Sequence, residues 1–259
     1  MLQIVCIKDN FHLIQINETP YKLAEIYRDT WTVLYSLPKN TYNNQKTLDM
    51  ENYFENHQWR GHFFNKIIKE LDYHSYLELG VRDGNNCFNL IECDSKIGVD
   101  SNPSINLPGV VCSTTDDYFD NLDLNIKFDL IYIDAFHEKT QVYRDFCNSI
   151  NHLNKGGIII LHDIFPLSKE YTSQLLNGTA YEFWIDLVKN YPENTHSFIG
   201  FPGNAEGTVG IYLNTNDKFD PHKITEFNYS YDYFFNNLPK YIYHKTITED
   251  QIILKAKCW

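Results

Sequence analysis

The sequence has no cluster of lysine and arginine residues. Its 22 basic residues face 34 acidic ones, which gives a net charge of -12 at pH 7. Proteins that bind nucleic acid usually carry a basic face that neutralises phosphate charge. The composition therefore argues against DNA, RNA or an anionic membrane as a partner, whereas an acidic protein can still bind a small cationic ligand.

Long apolar runs and paired cysteines are also missing. The longest apolar runs, such as GGIIIL at 156–161, are too short for a transmembrane helix. The stretch MLQIVCIKDNFHLI contains Lys8 and Asp9 and has no cleavage site of small residues, so it is typical of a strand and not of a signal peptide. The six cysteines form no CxxC pair, and we expect buried, reduced thiols in a cytoplasmic protein.

The first 60 residues show weak local signals. LQIVCIK and FHLIQI predict a hairpin that turns at Asp9 and Asn10. Residues 20–35 predict a helix, with Thr19 as its cap and proline at the first helical position. Apolar residues at helical spacing predict another helix over 61–72.

From residue 75 onward, short apolar runs alternate with helical patterns. Such alternation is typical of a parallel sheet covered by helices on both faces. Two late strand patterns, 196–201 and 207–213, have no helix between them, so we expect an antiparallel hairpin there. The predicted fold is a doubly wound, mostly parallel α/β sheet over 61–216. It has an N-terminal extension at 1–60 and a C-terminal appendage at 217–259 packed on the core.

The first strand of this pattern ends in YLELGVRDGNN. Gly80 and Gly84 permit a tight turn and close approach of a ligand to the backbone. A dinucleotide fingerprint needs further glycines where Arg82 and Asn85 stand, so NAD and FAD are disfavoured. The pattern suits a cofactor without phosphate, and we expect a helix to follow, capped by Asn85 or Asn86.

Two further strand ends carry polar side chains suited to a nucleoside. Asp100 ends the next strand, twenty residues after Gly80, where a carboxylate can accept both ribose hydroxyls. The third strand ends in CSTTDD, where Ser113 or Thr114 is expected to meet an adenine edge. The alternative for Asp100 is a cap on the turn before Pro103.

The fourth and fifth strands end in ionisable residues. Asp134 follows one strand, with His137 three residues later, and the pair His162 and Asp163 follows the other. Neighbouring parallel strands are about 4.8 Å apart and end on the same rim, so we expect these side chains to converge on one small volume.

Four segments together resemble class I S-adenosylmethionine-dependent methyltransferases: ELGVRDG, GVDSNP, FDLIYIDAFHEKTQVYRDF and LNKGGIIILHDIFP. The resemblance covers roughly 60–213 and is strongest to the small-molecule O-methyltransferases that act on macrolide sugars and catechols. It implies a seven-stranded Rossmann-like sheet that ends in an antiparallel pair, with S-adenosylmethionine as cofactor. It also implies that Glu78 lies near the methionine end, that the glycine loop passes beneath the cofactor, and that Asp100 holds the ribose.

The same resemblance implies roles for the ionisable strand ends. His137 stands where sugar-modifying relatives carry their catalytic base, and the alternative is a polar loop histidine. Asp134 is expected to contribute to cofactor binding, to metal binding and to catalysis. In metal-dependent relatives an acidic pair completes the site, but here the pair is His162 and Asp163. Two alternatives follow from this departure: a site without a metal, or a shift from Mg²⁺ toward Mn²⁺ or Fe²⁺, because histidine is a nitrogen ligand.

The expected function is methyl transfer to a hydroxyl of a small acceptor, with a sugar or glycan intermediate as the first choice. A phenolic or natural-product acceptor is the enzymatic alternative. A protein that binds the cofactor and assists assembly without catalysis is the alternative from another class. A homo-oligomer is also expected, in which the N-terminal region covers a neighbour's pocket.

Overall fold

The structure, a computed structural model, describes residues 2–7, 10–15, 31–36, 59–200, 207–214, 219–224 and 228–258. Within these ranges the chain forms a three-stranded and a seven-stranded sheet. The smaller sheet has the order β2-β1-β3 and is antiparallel. Its strands are β1 (Leu2–Ile7), β2 (Asn10–Gln15) and β3 (Trp31–Ser36).

The large sheet has the order β6-β5-β4-β7-β8-β10-β9. The pairs among β4 to β8 are parallel, while β10 is antiparallel to both β8 and β9. Its strands are β4 (Ser75–Leu79), β5 (Ser95–Asp100), β6 (Val110–Cys112), β7 (Phe128–Ile133), β8 (Leu153–Leu161), β9 (Thr195–Ile199) and β10 (Thr208–Leu213). The predicted fold class and its terminal hairpin are therefore confirmed.

Seven α-helices lie in the described part of the chain. They are α1 (Trp59–Leu71), α2 (Thr115–Asp120), α3 (Lys139–Asn151), α4 (Ala180–Asn190), α5 (Tyr231–Asn236), α6 (Leu238–Tyr241) and α7 (Glu249–Lys257). None of the described helices is long and apolar enough to cross a membrane.

The two faces of the large sheet are buried in two separate hydrophobic clusters. Along β7, Ile131 and Ile133 belong to the cluster that contains α3 and α4. Leu130 and Tyr132 belong to the cluster that contains α1 and α7. Side chains of a strand alternate between faces, so a nearly continuous apolar strand serves both clusters.

Two of the predicted helices are wrong. Trp31–Ser36 is a strand, so the helix expected over 20–35 fails in its last residues, and the rest lies outside the described part. The helix expected after Gly84 is only a short 3-10 turn at Phe88–Leu90, without a side-chain cap from Asn85 or Asn86. Lys96 donates to the carbonyls of Phe88 and Ile91, so these acceptors are satisfied without a continuing helix.

Other local predictions agree with the structure. The hairpin pairs Leu2–Ile7 with Asn10–Gln15, and a helix covers Trp59–Leu71. The expectation of buried thiols is wrong for Cys112 and Cys258, which are exposed, whereas Cys87 is buried. The proposed division at residues 60 and 216 stays a prediction.

Candidate functional site

The site lies at the carboxyl ends of β4, β7 and β8. The register pairs Leu79 with Ile133 and Ile133 with Leu161, so the next residue of each chain segment begins the same rim. The Asp134 amide donates to the Leu79 carbonyl at 2.8 Å, and the His162 amide donates to Ile133 at 3.0 Å. These bonds continue the sheet by one residue and fix the backbone of both side chains.

A cleft of about 760 Å³ opens at this rim. Nine of the ten predicted site residues line it: Glu78, Gly80, Asp100, Ser113, Thr114, Asp134, His137, His162 and Asp163. The tenth, Gly84, does not line the cleft. A Cβ on Gly84 would come within 2.8 Å of Leu107, so this glycine permits close packing below the loop.

Gly80 brings two backbone segments together at the floor of the cleft. Its φ is +87°, and a Cβ there would lie 2.1 Å from the carbonyl oxygen of Asp134. Only glycine fits this position, because the left-handed conformation and the close approach both exclude a side chain. The turn also places the Arg82 amide 2.8 Å from Asp100 Oδ2, so Asp100 holds the glycine loop.

Asp100 and the third strand end form the other half of the cleft. Asp100 Oδ1 accepts from the Asn102 amide at 2.9 Å, which makes the carboxylate a turn cap. A carboxylate has about four acceptor sites, so further capacity for ribose hydroxyls is left. Thr114 caps α2 by accepting from the Asp117 amide at 3.1 Å, while Ser113 donates to the Thr114 carbonyl.

Glu78 is 2% exposed and lies below the cleft. Burial raises the pKa of Glu78 to about 8, although the hydrogen bond from Tyr76 opposes that rise. The Tyr76 hydroxyl donates to Glu78 Oε2 at 2.6 Å and lies 3.4 Å from Cys87 Sγ. At neutral pH a protonated Glu78 can donate as well as accept a hydrogen bond.

The predicted acids and histidines meet in one cluster. His162 Nδ1 lies 3.0 Å from both Asp134 Oδ1 and Asp163 Oδ2. His137 Nε2 lies 3.0 Å from Asp163 Oδ2 and 3.7 Å from Asp134 Oδ1. One donor atom each from Asp134, His162 and Asp163 lies within 4.8 Å of the others, and this is a geometry that can hold a metal ion.

Charge coupling within the cluster changes its pKa values. Burial opposes protonation of His137, but the hydrogen bond to Asp163 and the charges of Asp163 and Asp134 raise its pKa to about 9. Burial and Arg60 oppose protonation of His162, but the same two carboxylates raise its pKa to about 10. Burial alone would raise the pKa of Asp163, but the two imidazoles hold it well below its usual range.

Three cleft residues were missed by sequence reasoning. Arg60, on α1, is 3% exposed, and its Nη1 lies 3.7 Å from Asp134 Oδ2. Tyr132 donates to the same oxygen at 2.9 Å, and Asn177 donates to Asp163 Oδ1 at 2.7 Å. Of these, only Arg60 had a sequence signal that could have identified it, because it is a charged residue beside an apolar helical stripe. Asn177 precedes a glycine, which is typical of an ordinary turn.

An apolar rim borders the acid–histidine cluster. We use this term for Phe136, Tyr171, Leu175 and Leu176, which all line the cleft. Their exposed fractions are 52%, 37%, 95% and 45%. Large exposed apolar groups that border a cleft are typical of ligand-binding surfaces.

The comparisons with known proteins agree with this architecture. Residues 77–164 match a family model described as a methyltransferase domain. No curated protein matches the sequence.

Two solved structures illustrate the similarity. The SAH-bound methyltransferase of Podospora anserina is 14% identical with a TM-score of 0.47, over 70% of this chain and 100% of that one. The O-methyltransferase of Bacillus cereus in complex with SAH is 14% identical with a TM-score of 0.44, over 68% and 92%. The matched residues 77–164 contain the strand ends that build the cleft, and this part of the chain is similar to a methyltransferase domain.

Proposed function

We propose that the protein transfers the methyl group of S-adenosylmethionine to a hydroxyl of a small acceptor, with His137 as the base. The observation that carries this proposal is the meeting of His137 with Asp134, His162 and Asp163 in the same cleft as Gly80 and Asp100. In this proposal the half of the cleft that binds the cofactor is adjacent to the half that accepts the proton. The first choice of acceptor is a sugar or glycan intermediate, as the resemblance implies.

The reaction is an in-line displacement at the methyl carbon. The acceptor oxygen forms a bond to that carbon, the bond to sulfur breaks, and the hydroxyl proton passes to Nε2 of His137. Asp100 is proposed to bind the ribose, and Gly80 lets the cofactor approach the backbone. Ser113, Thr114 and Glu78 line the same cleft. Ser113 and Thr114 are proposed to border the adenine, and Glu78 is proposed to lie near the methionine end.

The protonation state of His137 limits this mechanism. With a pKa raised to about 9 by Asp163 and Asp134 against the opposing effect of burial, His137 holds a proton at neutral pH and cannot accept another. A divalent cation bound by Asp134, His162 and Asp163 would cancel these charges, lower the pKa of His137 and polarise the hydroxyl. The proposal therefore includes such a cation.

The two carboxylates and the imidazole of Asp134, Asp163 and His162 suit a cation that accepts nitrogen as well as oxygen ligands. Adjacent ligands of an octahedral ion with bonds of about 2.1 Å are about 3 Å apart. The two distances from His162 Nδ1, to Asp134 Oδ1 and to Asp163 Oδ2, are 3.0 Å each. Two carboxylates and one imidazole suit Mn²⁺ or Fe²⁺ better than Mg²⁺.

Transfer of a labelled methyl group tests the proposal. The protein is incubated with labelled S-adenosylmethionine, a panel of sugars and phenols, and Mg²⁺ or Mn²⁺. We expect His137→Ala to abolish labelling while the dissociation constant for the cofactor, from calorimetry, stays nearly unchanged. The control is His74→Ala, an exposed histidine at the opposite end of β4. Full activity of His137→Ala would exclude the base role.

Removal of metal tests the cation. Dialysis against EDTA is expected to abolish turnover, and added Mn²⁺ should restore it. Unchanged turnover after EDTA would remove the cation from the proposal. Cofactor binding without turnover on any acceptor would favour a non-catalytic assembly protein.

The apolar rim favours a phenolic or natural-product acceptor as the second candidate. A free sugar has few apolar faces to cover Leu175, whereas an aromatic ring beside the hydroxyl would contact Leu175, Leu176 and Tyr171. We expect Leu175→Ser to raise KM for phenols by up to about tenfold, since it removes much of one buried apolar contact. The matched control is Leu254→Ser, because Leu254 on α7 is 64% exposed and does not line the cleft. Unchanged KM values for phenols would favour the sugar.

A further inference from the structure

The carboxylate of Asp163 serves two sets of partners. Its Oδ2 lies 3.0 Å from His137 Nε2 and 3.0 Å from His162 Nδ1. Its Oδ1 accepts from the side-chain amide of Asn177 at 2.7 Å. The backbone of Asp163 has φ +58°, a conformation that costs energy in a residue with a side chain. Surrounding contacts must therefore hold the backbone of Asp163 in this conformation.

Asn177 is itself buried and hydrogen bonded through its backbone and its side chain. It is 2% exposed, and its backbone amide donates to the Tyr171 carbonyl at 2.9 Å. The next residue, Gly178, has φ +57°, and a Cβ there would lie 2.3 Å from the His137 carbonyl oxygen. This glycine allows the chain around Asn177 to pass directly against the chain around His137.

Three hydrogen bonds join these two chain segments. The Thr179 amide donates to the His137 carbonyl at 2.8 Å, and the Lys139 amide donates to Thr179 Oγ1 at 2.9 Å. His137 Nδ1 contacts the Leu176 carbonyl oxygen, which can only accept. Nδ1 therefore carries a proton, and Nε2 is the nitrogen left to face Asp163 and the cleft.

We propose that Asn177 is a positioning residue that sets the rotation of the Asp163 carboxylate, and through it the orientation of His137 toward the acceptor. The inference rests on the proposed function, because it assigns His137 a proton-accepting role. With the Asn177 amide on Oδ1, the other oxygen stays between the two imidazoles. Without this donor, the carboxylate can rotate, and the His137 ring loses its partner at Nε2.

The test compares two buried asparagines. Asn177→Leu keeps the approximate shape and removes the amide donor. The control is Asn194→Leu. Asn194 is also 2% exposed, and its side-chain amide donates to the Leu213 carbonyl at 3.0 Å. Leu213 pairs with Ile158, four residues before His162, and Asn194 does not line the cleft. Circular dichroism is measured on both variants to establish whether they fold.

Two readouts are measured on the full chain. The first readout is kcat together with the cofactor dissociation constant. Asn177→Leu should lower kcat about 10- to 100-fold, because it removes a contact that supports the site. The cofactor dissociation constant should stay unchanged. The second is the ¹⁵N spectrum of the histidine rings in metal-free protein. The His137 signals, assigned from their loss in His137→Gln, should shift in Asn177→Leu and stay constant in Asn194→Leu.

The two readouts separate this inference from the proposed function. If the natural protein transfers no methyl group but the His137 signals shift in Asn177→Leu, the proposed function fails and the positioning role stands. If the His137 signals of Asn177→Leu match those of the control, the positioning role is overturned. An active enzyme whose kcat is unaffected by Asn177→Leu would overturn it as well.

Discussion

At the scale of single residues, a comparison of Gly80 with Gly156 distinguishes the effect of backbone conformation from the effect of steric exclusion. Both have positive φ, +87° and +76°. A Cβ on Gly80 would lie 2.1 Å from the Asp134 carbonyl oxygen, whereas a Cβ on Gly156 would meet nothing within 4 Å. The conformation is thus shared, and only the surroundings differ.

We predict that Gly80→Ala abolishes cofactor binding, because the methyl group forces the glycine loop away from Asp134. Gly156→Ala should lower the free energy of unfolding by only about 1–2 kcal/mol, the usual penalty of a left-handed residue, and leave binding intact. Calorimetric titration with S-adenosylhomocysteine and urea unfolding measure both effects. Normal binding by Gly80→Ala would show that the loop does not contact the cofactor.

The histidines provide a second prediction at this scale. Burial opposes protonation of His137, but Asp163 and Asp134 raise its pKa from 6.5 to about 9, so the folded state binds its proton more tightly than the unfolded state. The resulting stabilisation is complete below pH 6.5 and is lost as the pH rises through about 9. The difference in unfolding free energy between the natural protein and His137→Gln should therefore shrink over this range. A difference independent of pH would mean that His137 is neutral throughout.

His196 is the matched control, because its shift has the opposite sign. Burial, followed by the charges of Lys255 and Lys245, lowers the pKa of His196 from 6.5 to about 4. Its contribution is complete above pH 6.5 and is lost as the pH falls toward 4. His196→Gln should therefore alter the acid side of the stability profile and leave the alkaline side unchanged.

At the scale of elements, α7 stabilises the helix that carries Arg60. Lys66 of α1 donates to Glu249 at 2.7 Å and to Asp250 at 2.9 Å. Ile252 of α7 is fully buried in the same cluster as Trp59. The partly exposed ion pairs contribute little, so the apolar contact accounts for most of the attachment.

The start of α7 allows a prediction about this attachment. Thr248 accepts from the Gln251 amide, and the Gln251 side chain accepts from the Thr248 amide, which forms a capping box. Thr248→Ala should lower the free energy of unfolding by about 1 kcal/mol without changing cofactor affinity. Ser230→Ala removes a cap from α5 that lacks the reciprocal bond, and a smaller loss is expected there. Equal losses of unfolding free energy in the two variants, measured in urea, would mean that the capping box adds no stability beyond a simple cap.

At the scale of the whole molecule, the C-terminal residues belong to the main core. Phe234, Tyr241 and Ile242 are fully buried in the cluster that contains α3 and α4. The Trp184 indole donates to the Tyr241 carbonyl at 2.9 Å, and the Tyr229 hydroxyl donates to Asp186 at 2.5 Å. The described part of the appendage therefore completes the domain's core.

Truncation tests this conclusion. A chain that ends at residue 224 would expose the buried faces of α4 and leave the Trp184 indole without its acceptor. We expect it to lose the cooperative thermal transition. Removal of residues 258 and 259 alone should leave that transition intact, since Cys258 is exposed. A cooperative transition in the chain that ends at residue 224 would mean that the core folds without the C-terminal residues.

Much of the site was predictable because it lies at strand ends. Asp134, His137, His162 and Asp163 follow apolar runs, and the carboxyl ends of parallel strands share one rim. The absence of a full helix after Gly84 was not predictable, because side chains from α1 and β5 satisfy the carbonyls of the short turn at Phe88–Leu90. Local propensity contains no information about such distant donors.

The sequence by itself determined the sheet, its terminal hairpin and the chemical types present at the rim, because burial imposes a periodic pattern that can be read locally. The tertiary structure alone decided which groups share a charge environment. Arg60 meets Asp134, and Asn177 meets Asp163, only after folding brings distant segments together. The raised pKa of His137 likewise depends on two carboxylates whose distances from it are set by the packing of β7, β8 and the chain before α4.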